Sequence, residues 1–394
     1  MGENTKIEWA DDSVNIWWGC QRHGTGCKNC YAESLASRFH PKWKLWGNDV
    51  DSVRLYMPKW EASLRRLNAK AEKAGKPRVV FINSMSDFFE GFAGPLRVAG
   101  KNEETGEREL HRTFYGPKKM RDGSVGCGVV KSGQVLGVGA GGEWRPISVY
   151  RPATIADLRE EAFRVFDECP WLRFMLLTKR PDNVPDMWSR GALQPGFRRV
   201  EYWQATGGDA PRSSETMPRR ENILIGTSIS CQEDAGRNLP ELLKCRELTP
   251  VLFASAEPLT GPMDLSSWLG PKRVYSRDAD GVMHEQESNI DCVIIGGESG
   301  PNARPCDIAW VRSLVKQCRA SGSLPFLKQL GSNVVTQIPA MQVAGATNGH
   351  GPHGRVPSRV GQVKFRDPKA SDPSEWPEDL RDARQFPEIS NAAI

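Results

Sequence analysis

The chain has 394 residues, 39% of them hydrophobic, and 53 basic against 48 acidic side chains leave a net charge of only +5. Such a chain is globular, long enough to bury a large core as one barrel-sized domain with insertions or as two smaller ones, and too evenly charged to mark nucleic-acid binding by net charge alone. It has no apolar run of about eighteen residues and no signal-peptide core at its start, and its ten cysteines are too sparse for a disulfide scaffold. The expectation is a cytoplasmic protein with no membrane partner.

In chain order, Val14 to Trp18 reads as a short strand that delivers Cys20 to its C-terminal end. Between Gly19 and Tyr31, Cys20, Cys27 and Cys30 follow the spacing C-x6-C-x2-C among three glycines. Soft thiolates select zinc, copper(I) or iron-sulfur clusters, and a [4Fe-4S] cluster held by three cysteines leaves one iron open to a further ligand. With His23 as a fourth ligand the same residues form a Cys3His zinc site, and plain buried thiols are a third reading. Helices are expected over Cys30 to Arg38 and over Pro58 to Ala74, the latter closed by Gly75. Val79 to Asn83 is a β-branched run suited to a strand buried on both faces, with Ser84, Met85, Ser86 and Asp87 at its mouth.

From about 92 to 151 periodicity gives way to glycine and charge, which reads as an insertion: a small subdomain, a lid or a partly disordered loop. It carries Arg97, Lys101, Arg108, Arg112, Lys118, Lys119 and Arg121. A second insertion, at about 190 to 221, mixes Arg190, Arg198, Arg199, Arg212, Arg219 and Arg220 with Tyr202 and Trp203. Basic residues among aromatics suit phosphates and unstacked bases, and they equally suit solvated loops.

The regular pattern resumes behind a Thr154 cap, where Ile155, Leu158, Ala162, Phe163 and Phe166 form one helical face. Strands are then expected at Phe174 to Leu177, Ile223 to Thr227, Val251 to Ala254, Cys292 to Ile295 and Pro325 to Leu327, with helices at Asp234 to Leu248 and Ile308 to Arg319 between some of them. Each strand ends in polar residues. Alternating strands and helices imply a parallel sheet, so the fold class is α/β: a partial or complete (β/α) barrel over 1–331, with an open doubly wound sheet as the alternative. Residues 332–394 read as an irregular wrapping tail, and His350 and His353 within it as incidental. Cys169, Cys231, Cys245, Cys292 and Cys318 lie in or beside regular elements and read as structural.

The strand endings hold the other candidate site residues. Gly296-Gly297-Glu298 sets a carboxylate beside a freely turning backbone, suited to a cofactor's ammonium group. Asn83, Ser84, Ser86 and Asp87 compete for that role or simply cap a turn. Glu257 and Lys328, ionisable groups at the ends of apolar runs, either grip substrate and move a proton or pair with each other. Thr178-Lys179-Arg180 offers donors for phosphate or carboxylate.

Lys6-Ile7-Glu8-Trp9, Cys27-Lys28-Asn29-Cys30-Tyr31-Ala32-Glu33, Asn83-Ser84-Met85-Ser86-Asp87, Thr178-Lys179-Arg180-Pro181, Glu257-Pro258-Leu259 and Gly296-Gly297-Glu298-Ser299-Gly300 resemble, in order, blocks of the phage three-cysteine-motif family, related to radical S-adenosylmethionine enzymes. The chain departs from the commonest radical pattern in its six-residue first gap and in Asn29 before the last cysteine. The resemblance implies a [4Fe-4S] cluster on Cys20, Cys27 and Cys30 that binds S-adenosylmethionine, with Ser84, Ser86, Asp87 or Glu298 holding that cofactor and Glu257 and Lys328 as catalytic candidates. It further implies an electron donor protein, DNA carrying modified thymidine as partner, and a host cytoplasm if the chain is phage-encoded. Some relatives are associated with thymidine hypermodification, in which an amino acid linked through nitrogen to the thymine 5-methyl group becomes carbon-linked. A zinc-stabilised nucleic-acid-binding protein is the alternative.

Overall fold

Seven short apolar runs become parallel strands: β1 (Asp12–Val14), β2 (Arg78–Ile82), β3 (Leu172–Thr178), β4 (Ile223–Ser228), β5 (Val251–Ala256), β6 (Cys292–Gly296) and β7 (Leu324–Gln329). A computed structural model describes residues 2–5, 7–119, 123, 125–131, 137–138, 144–145, 151–189, 199–202, 215–277, 283–338 and 359–387. In the sheet the strands stand in chain order, each parallel to the next. A doubly wound sheet reverses its order at a switch point. This one does not, and it is a half-barrel with helices.

Both rims of the half-barrel are covered. Gly2–Glu3 pairs antiparallel with β1. At the other rim, the amide of Leu327 donates to the Ala383 carbonyl and that of Gln385 to the Pro325 carbonyl. The segment expected to be an irregular tail is therefore packed in its described part: Trp376, Leu380 and Ala383 are buried, and Arg359–Val363 pairs with Val334–Ile338.

Alternation along the strands sorts the core into two layers. Val80, Ile82, Leu176, Ile225 and Val293 join the main cluster with the helices α2 (Trp60–Ala74), α3 (Ile155–Asp167), α4 (Gln232–Leu243) and α5 (Ile308–Ser321), while α1 (Tyr31–Phe39) packs elsewhere. On the opposite, concave face, Phe81, Met175, Leu224, Phe253, Ile294 and Phe326 form a separate cluster with Trp9. Two residues further along, the concave face gains polar side chains at Ser255 and Lys328, with glycine at 226 and 296 and Leu177 still apolar on β3. The barrel has an apolar floor and a polar mouth.

One expectation is corrected. Val14 to Trp18 is not one strand: β1 ends at Val14, and Trp17–Trp18 pairs in a different sheet with Arg54–Tyr56. Side-chain amides break the ladder, since the Ile16 N–H donates to Asn83 Oδ1 at 2.8 Å and the Met85 N–H to Asn15 Oδ1 at 2.9 Å. Of the three readings of the first insertion, its described part takes that of a small subdomain: Leu96–Lys101, Arg108–Lys119 and Val125–Lys131 pair antiparallel, and Arg54–Tyr56 joins Leu96–Lys101 in parallel. In the second insertion Arg199–Tyr202 pairs with Glu215–Pro218. Arg121, Arg190, Arg198, Trp203, Arg212, His350 and His353 lie outside the described residues.

Gly226 on β4 faces the Phe253 ring, and a Cβ built there would stand 2.3 Å from a ring atom. Gly226→Val is expected to lower stability by about 1–3 kcal/mol in urea denaturation. A double-mutant cycle with Phe253→Ala is expected to give a coupling of at least about 0.5 kcal/mol.

Candidate functional site

The cysteine segment lies across the barrel mouth, and its contacts can be followed strand by strand. Gln21 is held from both sides. Its N–H donates to Glu90 Oε2 at 3.2 Å, and its carbonyl accepts from Arg180 Nη2 at 2.9 Å. Both partners belong to ion pairs behind the ends of β2 and β3. Arg54 grips Glu90 with two hydrogen bonds of 2.7 and 2.9 Å, the two side chains being 0% and 1% exposed, so the pair is fully desolvated. Arg180 bonds Asp87 at 2.9 Å. Arg54 also lies 3.7 Å over the Phe92 ring. The Cys20 carbonyl accepts from the Gly47 N–H at 3.0 Å.

Further along, the chain approaches β3 and β4. A Cβ at Gly26 would fall 2.2 Å from Ser230 Oγ and 3.5 Å from Lys179 Nζ, so only glycine allows this close approach. A narrow cleft there is lined by His23, Gly26, Lys179, Ser228 and Arg237 among others. Burial, Arg180 and Arg237 together lower the His23 pKa from its ordinary value. The last contacts reach the loop after β6: Asn29 Nδ2 donates to Glu298 Oε2 at 3.1 Å and to the Asn302 carbonyl at 3.3 Å, and Arg304 Nη1 donates to the Thr25 carbonyl at 3.3 Å. The segment thus touches structure after β2, β3, β4 and β6.

Each candidate residue has a definite place. Cys27 exchanges hydrogen bonds with the His23 backbone, its Sγ receiving the N–H at 3.3 Å and donating to the carbonyl at 3.1 Å. Cys20 Sγ donates to the Gln21 carbonyl at 3.3 Å, and Cys30 stands at the N-cap position of α1 without a side-chain cap bond. All three are free. Burial raises the Cys20 thiol well above its ordinary value, and Glu90 and Asp87 add to the rise. Burial also raises Cys30, against the N–H groups of Glu33 and Ala32 that point at its sulfur. Metal uptake by these thiols therefore has to displace protons. Among the described residues no three or more His, Cys, Asp and Glu side chains are grouped closely enough for a metal ion.

Asp87 is fully engaged, accepting from Thr178 Oγ1, the Lys179 N–H, Arg180 and the Phe89 N–H. Ser86 Oγ donates to the Trp17 carbonyl, and Ser84 Oγ sits 3.2 Å from Asn15 Nδ2 and 3.3 Å from Ser13 Oγ. Tyr31 Oη donates to the Ser84 carbonyl at 2.7 Å. Glu298 is gripped by Arg304 through two side-chain bonds, of 3.0 and 2.8 Å, and one backbone bond. Glu257 and Lys328 form a 2.6 Å ion pair from the ends of β5 and β7, each side chain 20% exposed. Sequence reasoning missed Arg54, Glu90 and Arg304, whose partners are distant in the chain or hidden in a loop.

A half-barrel bridged at its mouth by a three-cysteine segment defines the kind of protein this is. Residues 4–93 and 149–363 match the family described as DUF5131, Protein of unknown function, and the chain belongs to that family. No curated protein and no solved structure matches. No described helix is long and apolar enough to cross a membrane.

Removing Glu90 strands a buried guanidinium, so Glu90→Ala is expected to cost about 3–5 kcal/mol in urea denaturation. The Glu298 tether is expected to be pH-sensitive. Burial alone would raise this carboxyl, and the hydrogen bonds from Arg304 and Asn29 outweigh it and hold the pKa below its ordinary value. The tether is therefore complete above the ordinary carboxylate range and is lost as pH falls through the lowered value. Hydrogen-exchange protection of Gly24 to Tyr31 should drop in that acid window, and Arg304→Ala should show the drop already at neutral pH.

Proposed function

We propose that the chain is a radical S-adenosylmethionine enzyme of phage DNA modification, holding a [4Fe-4S] cluster on Cys20, Cys27 and Cys30. Its substrate would be thymidine in DNA bearing an amino acid on the 5-methyl group, isomerised from nitrogen-linked to carbon-linked. One observation carries the proposal: the segment with the three free cysteines is tied down across the mouth of a half-barrel whose interior turns polar at that end. Three free thiols on one glycine-bearing loop are the donor type such a cluster takes and leave a coordination place open, and in this structure they are not gathered round a common point, so Cys20, Cys27 and Cys30 would have to converge to hold it. When bound, the cluster with S-adenosylmethionine and an electron from a donor protein would supply a 5′-deoxyadenosyl radical for hydrogen abstraction.

The chain's own residues would bind and orient. The Glu257–Lys328 pair presents a carboxylate and an ammonium side by side at the mouth, matching the ammonium and carboxylate of an amino-acid substituent. Gly296 leaves room beside Glu257, because a Cβ there would lie 3.2 Å from its carboxyl carbon. Asp87 and Glu298 serve this chemistry as tethers of the cysteine segment, through Arg180 and Asn29. Ser84 offers a hydroxyl near Asn15, and Ser86 positions the turn. The bridging segment limits water at the mouth. The substituent's α-carbon is an apt site of abstraction because the resulting radical is stabilised, and reaching it in duplex DNA requires the base to be flipped out, at a cost of a few kcal/mol.

Incubating the reduced protein anaerobically with S-adenosylmethionine and DNA carrying the nitrogen-linked base is expected to release 5′-deoxyadenosine and the carbon-linked product. Lys328→Met should cut product formation by about 10- to 100-fold with cluster absorbance intact, because it removes a positioning contact. Cys20→Ala, Cys27→Ala and Cys30→Ala should each abolish the absorbance. Absence of 5′-deoxyadenosine across candidate DNAs would count against the isomerase.

A further inference from the structure

The small antiparallel sheet carries a pattern that its own folding does not call for. Arg97 stands directly opposite Arg112, and Lys101 directly opposite Arg108. Like charges facing each other across strands are destabilising. Residues two apart share a face, so all four cations lie on one side of the ladder, at either end of the opposed Ala99 and Leu110. None of the four has an ion-pair partner among the described residues. The strand's own acids are used elsewhere: Glu107 pairs with Lys42 at 3.5 Å, and Glu109, opposite Gly100, lies on the other face 3.6 Å from His111. Arg97 is half-buried, and both burial and the like charge of Arg112 work against its positive charge.

The same face carries aromatics. Leu55, next to Arg97 in the ladder, packs with Ala32 and Ala36 of α1, which brings that helix onto this side of the sheet. At its C-terminal end Phe39 is 57% exposed, a large apolar ring left in water. Just beyond, His40 stacks on Trp43, with ring centroids 4.6 Å apart and planes 9° from parallel, and Arg108 lies 5.5 Å over Trp43. Unpaired cations around flat rings suit phosphates flanking unstacked bases, and they suit neither a neutral apolar partner nor a second copy of this basic face.

We propose that this face, made by Arg97, Lys101, Arg108, Arg112, Phe39 and Trp43, binds single-stranded nucleic acid. The proposal rests on the nucleic-acid substrate proposed above and names where that substrate is held. The helix α1 runs from Cys30 at the barrel mouth to Phe39 on this face, about 13 Å for its nine residues. A strand lying on the face therefore brings a neighbouring nucleotide to the mouth.

The test is fluorescence anisotropy of the full chain with a labelled single-stranded DNA oligonucleotide and with a duplex of the same length, over a range of salt. Wild type should prefer the single strand. Lys101→Glu with Arg112→Glu, both at exposed positions, should weaken binding tenfold or more and flatten the log-affinity against log-salt slope by about 0.7 for each phosphate no longer neutralised. Phe39→Ala should weaken binding about tenfold and leave the slope unchanged. The charge reversals Lys73→Glu with Lys76→Glu, at the end of α2, serve as control, and unchanged urea midpoints exclude misfolding. If wild type binds and the face variants match the control, or if duplex is preferred, this surface is wrong and the DNA substrate stands. If wild type binds no oligonucleotide, both fall.

Discussion

The backbone of one residue, Gln21, is clasped between two charge pairs, and the placement of the cysteines depends on it. Its N–H is taken by the carboxylate of the Glu90–Arg54 pair and its carbonyl by the guanidinium of the Asp87–Arg180 pair. Buried pairs of this kind rarely add net stability over apolar packing, but they fix geometry strictly, because every donor and acceptor must be met. Here the surplus valences of the two pairs are spent on a segment with little regular structure. Cys20 is anchored next to that clasp, and Cys27 and Cys30 follow over glycines that let the chain lie close against β3 and β4.

At its far end the segment is joined to the loop after β6 through Asn29, Glu298 and Arg304. The bridge is therefore fastened at both ends, to opposite parts of the half-barrel, and lies over the polar mouth above the Phe81, Met175 and Phe253 floor. The Glu257–Lys328 pair stands at the same mouth, at the ends of β5 and β7. The insertion sheet adds a basic and aromatic surface on α1, the helix that begins at Cys30.

Much of the fold is legible in the sequence because the barrel strands are buried on both faces. Runs such as Phe174 to Leu177 and Cys292 to Ile295 are apolar throughout, and their polar endings mark the mouth. The insertion sheet is far less legible, since its alternation sets arginine against valine and alanine beside glycines, which periodicity does not separate from a charged loop. Val14 to Trp18 misleads for a local reason: the amides of Asn15 and Asn83 take the place of ladder partners and redirect the chain. Of the site, the cysteine triplet and the strand endings can be found by spacing alone. Arg54 and Glu90 cannot, being 36 residues apart with nothing in either neighbourhood to announce the pair.

Iron and acid-labile sulfide, assayed on anaerobically purified or reconstituted protein, test the central claim most directly. The account predicts a brown protein with about four irons and four sulfides per chain. A colourless protein holding one zinc and no sulfide would contradict it and leave a metal-stabilised binding protein in its place.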